Sequence, residues 1–175
     1  MLGLLVVTGM RVGEVLSIGR GDVDLRRGVI TIRQAKLDRE RLLPLHPSTT
    51  DALRRYAEHR DRAHPEPAAG TFFLGTTTGP LSYCVVRAAF AELTTRIGLR
   101  TPTVRPRIHD LRHSFAVRTL IDFYRSGADV AAGIAVLGAY LGHVNPAGTY
   151  WYLSASPELM ELAAQRLENR SEAPR

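Results

Sequence analysis

The segment Ile108-His109-Asp110-Leu111-Arg112-His113-Ser114-Phe115 decides how the rest of the chain is read. His109 and Arg112 stand three residues apart, so on a helix they are neighbours on one face. A helix start there adds backbone N–H groups without intrahelical partners, which favour an anion. Leu111 and Phe115, four apart, are expected to anchor the opposite face in a core. His-x-x-Arg alone is a common pattern. With Asp-Leu inside it and His-Ser-Phe-Ala after it, the pattern becomes much more specific.

Working outward, Tyr140-Leu141-Gly142-His143 follows, then Thr149-Tyr150-Trp151-Tyr152. Gly142 is expected to end a helix and let His143 turn inward. A tyrosine can act as a covalent nucleophile when its neighbours remove its proton and neutralise the group attacked. The aromatic run can equally be hydrophobic core. Towards the other end, Thr8-Gly9-Met10-Arg11-Val12-Gly13-Glu14-Val15-Leu16 puts Arg11 and Glu14 three apart at a helix start after a glycine break. An arginine there presents a planar fork that suits phosphate oxygens and stays charged at any working pH. A surface ion pair between Arg11 and Glu14 is the alternative.

Between these motifs the chain reads as mainly α with one small antiparallel β-sheet. Val29-Ile30-Thr31-Ile32 is β-branched and Arg41–Leu45 is mostly apolar, with polar Lys36–Glu40 between them as a hairpin tip. Pro47-Ser48 announces a helix with Asp51 at its third position and a Leu53, Tyr56, Ala57 stripe. Ser82 caps the next, whose Val85, Val86, Ala89, Phe90, Leu93 and Ile97 follow helical spacing. Further helices are expected over 110–125 and 129–141. Asn145-Pro146 can cap a short one, and Ser156-Pro157 opens the last.

The bulk numbers narrow the partners. At 175 residues the chain is one ordinary domain, 45% hydrophobic and 23% charged, which fits a globular protein. Lys plus Arg is 23 against 17 acidic residues, a net +6 that favours a polyanion. Cys84 is the single cysteine, so no internal disulfide forms and a cytoplasmic location is expected. The apolar opening MLGLLVVTGM stops at Arg11 after about ten residues, too short for a membrane span. It reads as a domain entered partway through, without a signal peptide.

The motifs together resemble the catalytic domain of the tyrosine recombinases, the phage integrase family. The resemblance runs from Leu4 to about Leu167 and takes its six positions in order. The family's first arginine falls on Arg11, with Glu14 as its acidic support. The hairpin-tip lysine falls on Lys36, because Arg41-Leu42-Leu43-Pro44-Leu45 continues the expected run. His109 and Arg112 supply His-x-x-Arg, and Gly142-His143 supplies Gly-His. The nucleophile stands nine residues after that histidine, at Tyr152 rather than Tyr150, with Thr149 three before it. One departure is the 34-residue interval from His109 to His143, longer than in many members; the extra length, around Leu120–Val136, is expected to extend a helix or its connection.

The resemblance implies site-specific recombination or integration of double-stranded DNA through a 3′-phosphotyrosine. Arg11, Arg112 and His143 bind the phosphate, Lys36 protonates the leaving oxygen, and His109 takes the tyrosine proton or holds the phosphate. No cofactor and no metal is implied. Residues 1–170 form the catalytic domain, truncated at its N-terminus and without the usual core-binding domain, and 171–175 a tail. Helix 157–169 is the expected site of self-association on DNA. Type IB topoisomerase-like relaxation, or an impaired remnant or DNA-binding regulator, are the other activities this pattern allows.

Overall fold

The computed structural model describes residues 1–34, 39–65, 70–75, 78–143, 149, 152 and 156–171. It divides into two compact units, Met1–Arg112 and His113–Arg175. As expected, the described residues are mostly helical with one small antiparallel sheet. None of their helices is long and apolar enough to cross a membrane.

In the first unit, α1 (Leu2–Thr8) stops at Gly9, which adopts the left-handed conformation (φ 61°, ψ 16°) and donates its N–H to the Leu5 carbonyl. That conformation strains any residue with a Cβ, so a glycine here lets the chain reverse at once. The turn leaves Arg11 extended (φ −72°, ψ 142°) as the N-cap of α2 (Val12–Ser17). Strands β1 (Val23–Asp24), β2 (Val29–Gln34) and β3 (Arg39–Pro44) form an antiparallel sheet in the order β1-β2-β3. The register pairs Ile30 with Leu43, Thr31 with Leu42 and Ile32 with Arg41. Opposed residues share a face, so buried Ile30, Ile32 and Leu43 place Arg41 on the inner side while Leu42 points to solvent.

Two helices differ in detail from the sequence expectation. Helix α3 (Pro47–Ala63) begins at Pro47, with His46 rather than Ser48 as its cap: His46 Nδ1 accepts from the Ser48 N–H at 3.3 Å. Proline suits the first helical position, where its missing N–H costs nothing. Leu53 and Ala57 are buried as expected, and Arg60 joins them, its Nη1 donating to the Phe72 carbonyl at 2.7 Å and its guanidinium lying over the Phe72 ring. On α4 (Tyr83–Arg96), Ser82 is the cap, but the buried row is Val86, Phe90 and Thr94. Val85, Leu93 and Ile97 form the adjacent row and are exposed. Thr94 tolerates burial because its hydroxyl donates to the Phe90 carbonyl.

Helix α5 (Ile108–Arg125) carries the division between the units after Arg112. Its buried row is Ile108, Arg112, Ala116 and Leu120, whereas Leu111 and Phe115 are only half-buried. The inward face is therefore one position on from the one the apolar pattern suggested, and it includes a charge. In the second unit, α6 (Val130–Leu141) is capped by Asp129, whose Oδ1 accepts from the Ala131 and Ala132 N–H groups. Helix α7 (Pro157–Ser171) follows. Ala116, Leu120, Ile134, Leu137, Leu141, Tyr152 and Leu159 make the core of this unit. Two polar contacts also tie α7 to its own unit: Arg125 pairs with Glu158 at 2.7 Å and Arg166 donates to the Ala128 carbonyl at 2.8 Å. The short helix expected at Asn145-Pro146 lies outside the described residues.

Candidate active site

The first unit assembles Arg11, Glu14, His109 and Arg112. Helices α2 and α5 start in the same way. Glu14 Oε2 accepts the backbone N–H of Arg11 at 2.8 Å, and Asp110 Oδ2 accepts that of Arg107 at 2.8 Å. In each case an acid at the third helical position satisfies the N–H of the capping residue, half of a capping box. This is why an acid recurs at these places in both motifs. It sets the first turn from which Arg11 on one helix, and His109 and Arg112 on the other, project.

Arg112 is 2% exposed, and its Nη1 donates to the Gly9 carbonyl at 2.8 Å. This ties Arg112 to the turn that carries Arg11, because Gly9 stands two residues before Arg11. Glu14 bonds the Arg11 side chain as well, Nη1 to Oε1 at 3.0 Å. It also receives a bidentate pair from Arg41, Nη1 to Oε1 at 3.0 Å and Nη2 to Oε2 at 2.9 Å. Burial would raise the Glu14 carboxyl, but the Arg41 hydrogen bonds, the Arg11 N–H and the nearby guanidinium charges hold it below the usual carboxylate range. His109 is exposed, yet partial desolvation comes first and the cations of Arg112, Arg107 and Arg11 add to it, outweighing Asp110, so the imidazole is pushed below its ordinary value. It stays neutral to lower pH than a solvated histidine and is fit to accept a proton.

The second unit assembles His143, Thr149, Tyr152 and His113. Gly142 is left-handed (φ 70°, ψ 43°) and ends α6, and the His143 N–H returns to the Gly138 carbonyl at 2.9 Å. The turn expected at Gly142 is present. His143 Nδ1 lies 2.8 Å from the Thr149 hydroxyl, which fixes the ring. Tyr152 is 5% exposed, with its ring in the core. Its centroid is 6.0 Å from that of His143, nearly parallel, and 5.3 Å from that of His113. Tyr152 thus packs as core, and two imidazoles lie against its ring.

Thr149 is fully buried against Gly138, where an added Cβ would lie 2.9 Å from its Oγ1. Alanine is the better helix former by about 1 kcal/mol, so the effect of Gly138→Ala is decided by this contact. We expect a net loss of about 1–3 kcal/mol and a Tm lower by roughly 2–10 °C, read by thermal melting. An unchanged or higher Tm would show that Thr149 yields without cost.

Lys36 and Tyr150 lie outside the described residues. Two residues near the candidate site had no role in the sequence reading. His113 was noted only as a flank of the motif, and its ring lies 5.3 Å from that of Tyr152, 39 positions on in the sequence. Arg41 was noted only as part of the strand pattern. Its signal was available: Arg41 and Leu43 share a parity on β3, and a charge on the core face of a strand demands a partner.

The whole-chain comparisons bear on what this arrangement is for. The model of the phage integrase family matches residues 1–158. The chain belongs to the phage integrase family. A Sinorhizobium fredii protein named as an integrase/recombinase, y4rE, is 42% identical over 167 residues, 95% of this chain and 53% of that one. The tyrosine recombinase XerC of Chlamydia caviae is 30% identical over 91% of this chain and 47% of its own. The chain spans about half the length of the curated relatives it matches. Among solved structures, XerA recombinase superposes with a TM-score of 0.75 at 23% identity, covering 98% of this chain and 55% of that one. XerH in a post-cleavage complex gives 0.73 at 22% identity, covering 95% and 44%. These likenesses place the fold among tyrosine recombinase catalytic domains, as the motifs implied.

Proposed function

We propose that this chain is the catalytic part of a tyrosine site-specific recombinase acting on double-stranded DNA. The Tyr152 oxygen attacks a phosphodiester, the bond from phosphorus to the 5′-oxygen breaks, and a 3′-phosphotyrosine forms. His109 takes the tyrosine proton, and Lys36 gives one to the leaving 5′-oxygen. Arg11, Arg112 and His143 meet the non-bridging oxygens, where negative charge grows in the transition state. A 5′-hydroxyl from another strand then attacks the phosphotyrosine and releases Tyr152. The ester conserves the bond energy, so the scheme uses no nucleotide and no metal.

The observation that carries this reading is the meeting of Arg112 with Gly9, beside Arg11, in the first unit. Burying a guanidinium is costly, and its planar fork suits phosphate oxygens. The cost makes sense where the cation serves an anion. XerH, a structural neighbour, is described bound to its DNA substrate after cleavage. Self-association on DNA is assigned to α7, whose Met160 and Glu161 face solvent while Leu159 packs on its own unit.

The test is covalent trapping on a nicked DNA carrying the recombination site of the host element, so that cleavage releases a short strand and cannot reverse. A protein–DNA adduct that survives denaturant is expected, unchanged by EDTA. DNA binding without any adduct would favour a DNA-binding regulator, and dependence on Mg²⁺ would remove the mechanism.

A further inference from the structure

We propose that Arg41 is a positioning residue for the cleavage step, holding Glu14 so that the carboxylate cannot close a bidentate pair on Arg11. This rests on the reading of Arg11 as a phosphate ligand. A carboxylate has about four acceptor sites on its two oxygens. Glu14 receives four donors: Arg11 Nη1 and Arg41 Nη1 on Oε1, the Arg11 backbone N–H and Arg41 Nη2 on Oε2. Its capacity is filled, and Arg41 holds one place on each oxygen.

The exposures give the three residues different tasks. Glu14 and Arg41 are 12% and 14% exposed, whereas Arg11 is 40% exposed. The inner pair is the anchor, and Arg11 is the member a ligand can reach. Arg41 comes from the inner face of β3, 27 residues from Glu14, so its fork approaches from a rigid sheet. Without Arg41, one place opens on each oxygen of a half-buried carboxylate that has lost its main neutralising charge. Arg11 is already in contact, and its own fork matches that geometry. The guanidinium would then be drawn onto Glu14 and away from phosphate.

The idea makes an unusual demand, because weakening Glu14 should help a protein that lacks Arg41. In single-turnover cleavage of the nicked substrate, Arg41→Ala should lose about 100-fold in rate, as for a misplacement of about 1 Å, with DNA affinity nearly unchanged. Glu14→Gln added to Arg41→Ala should recover about tenfold, since a neutral amide holds a guanidinium less firmly than a carboxylate does. A purely structural role for Arg41 predicts the opposite, with the double variant slower still. A double variant no faster than Arg41→Ala, or an Arg41→Ala protein as fast as wild type, overturns the proposal.

Thermal melting accompanies each variant. If Arg41→Ala does not fold, Arg41→Lys, which keeps the charge and loses the fork, takes its place with the same demand on Glu14→Gln. One arm needs no cleavage: ¹⁵N NMR of the Arg11 guanidinium should show slower rotation about its C–N bonds in the Arg41 variant, and unchanged rotation would refute the trap. Wild type and Arg11→Ala run alongside. A wild type that forms no adduct, or an Arg11→Ala protein that cleaves normally, sinks the reading of the site and leaves the NMR arm to decide on Arg41.

Discussion

A Tyr152→Phe protein is expected to bind DNA as wild type does and to form no covalent adduct with it. The change removes one oxygen and keeps the ring that fills the second unit's core among Ala116, Leu120, Leu137 and Leu141. Its effect on stability should therefore stay within about 1 kcal/mol, the usual net worth of one hydrogen bond. Its effect on chemistry should be total, because in the proposed mechanism the ester forms on that oxygen. Tyr150→Phe is the control and should retain most of the adduct. The assignment rests on the nine-residue interval from His143 and on the two imidazoles packed against the Tyr152 ring. A trapped peptide carrying nucleotide on Tyr150 would overturn it.

The second large effect is expected at Arg112, where stability and catalysis separate by choice of substitution. Arg112→Ala empties a fully enclosed position and takes the guanidinium donor from the Gly9 carbonyl. We expect a loss of about 2–4 kcal/mol, combining the cavity with the lost hydrogen bond. The Tm should fall by roughly 5–15 °C. Arg112→Lys keeps the charge and much of the packing but loses the planar fork, so one ammonium cannot serve the Gly9 carbonyl and a phosphate in the same way. Its Tm should fall by less than half as much. Its cleavage rate should drop by about 10²–10³, the range for removing one transition-state donor, while DNA affinity changes by less than about tenfold. Equal losses in rate and affinity would make Arg112 an ordinary phosphate contact.

The sequence by itself determined the fold class, the element order and the family, because those signals are local or lie in fixed intervals. Gly9 announces a helix break, Gly142 a helix stop, Ser82 a cap, and 29–32 a β-branched strand. Each is a property of a few adjacent residues, and each is present in the structure. Which helix face turns inward was less legible. The rows containing Val85, Leu93 and Ile97 on α4, and Leu111 and Phe115 on α5, were both apolar enough to be core. The packing chose the neighbouring rows instead, with Thr94 and Arg112 in them. Apolar periodicity does not show a polar residue whose hydrogen bonds are met inside: Thr94 by its own helix, Arg112 by a carbonyl 103 residues away.

Only the tertiary structure decided the partnerships. Glu14 was read as support for Arg11, yet it also takes a bidentate pair from Arg41, brought from 27 residues away by the antiparallel register of β2 and β3. The His113 contact with Tyr152 likewise joins residues 39 positions apart in the sequence. A motif names residues that the chemistry needs and leaves unnamed those that hold them in place. The reason is physical: a positioning contact is fixed by distance in space, which neither residue type nor interval along the chain encodes.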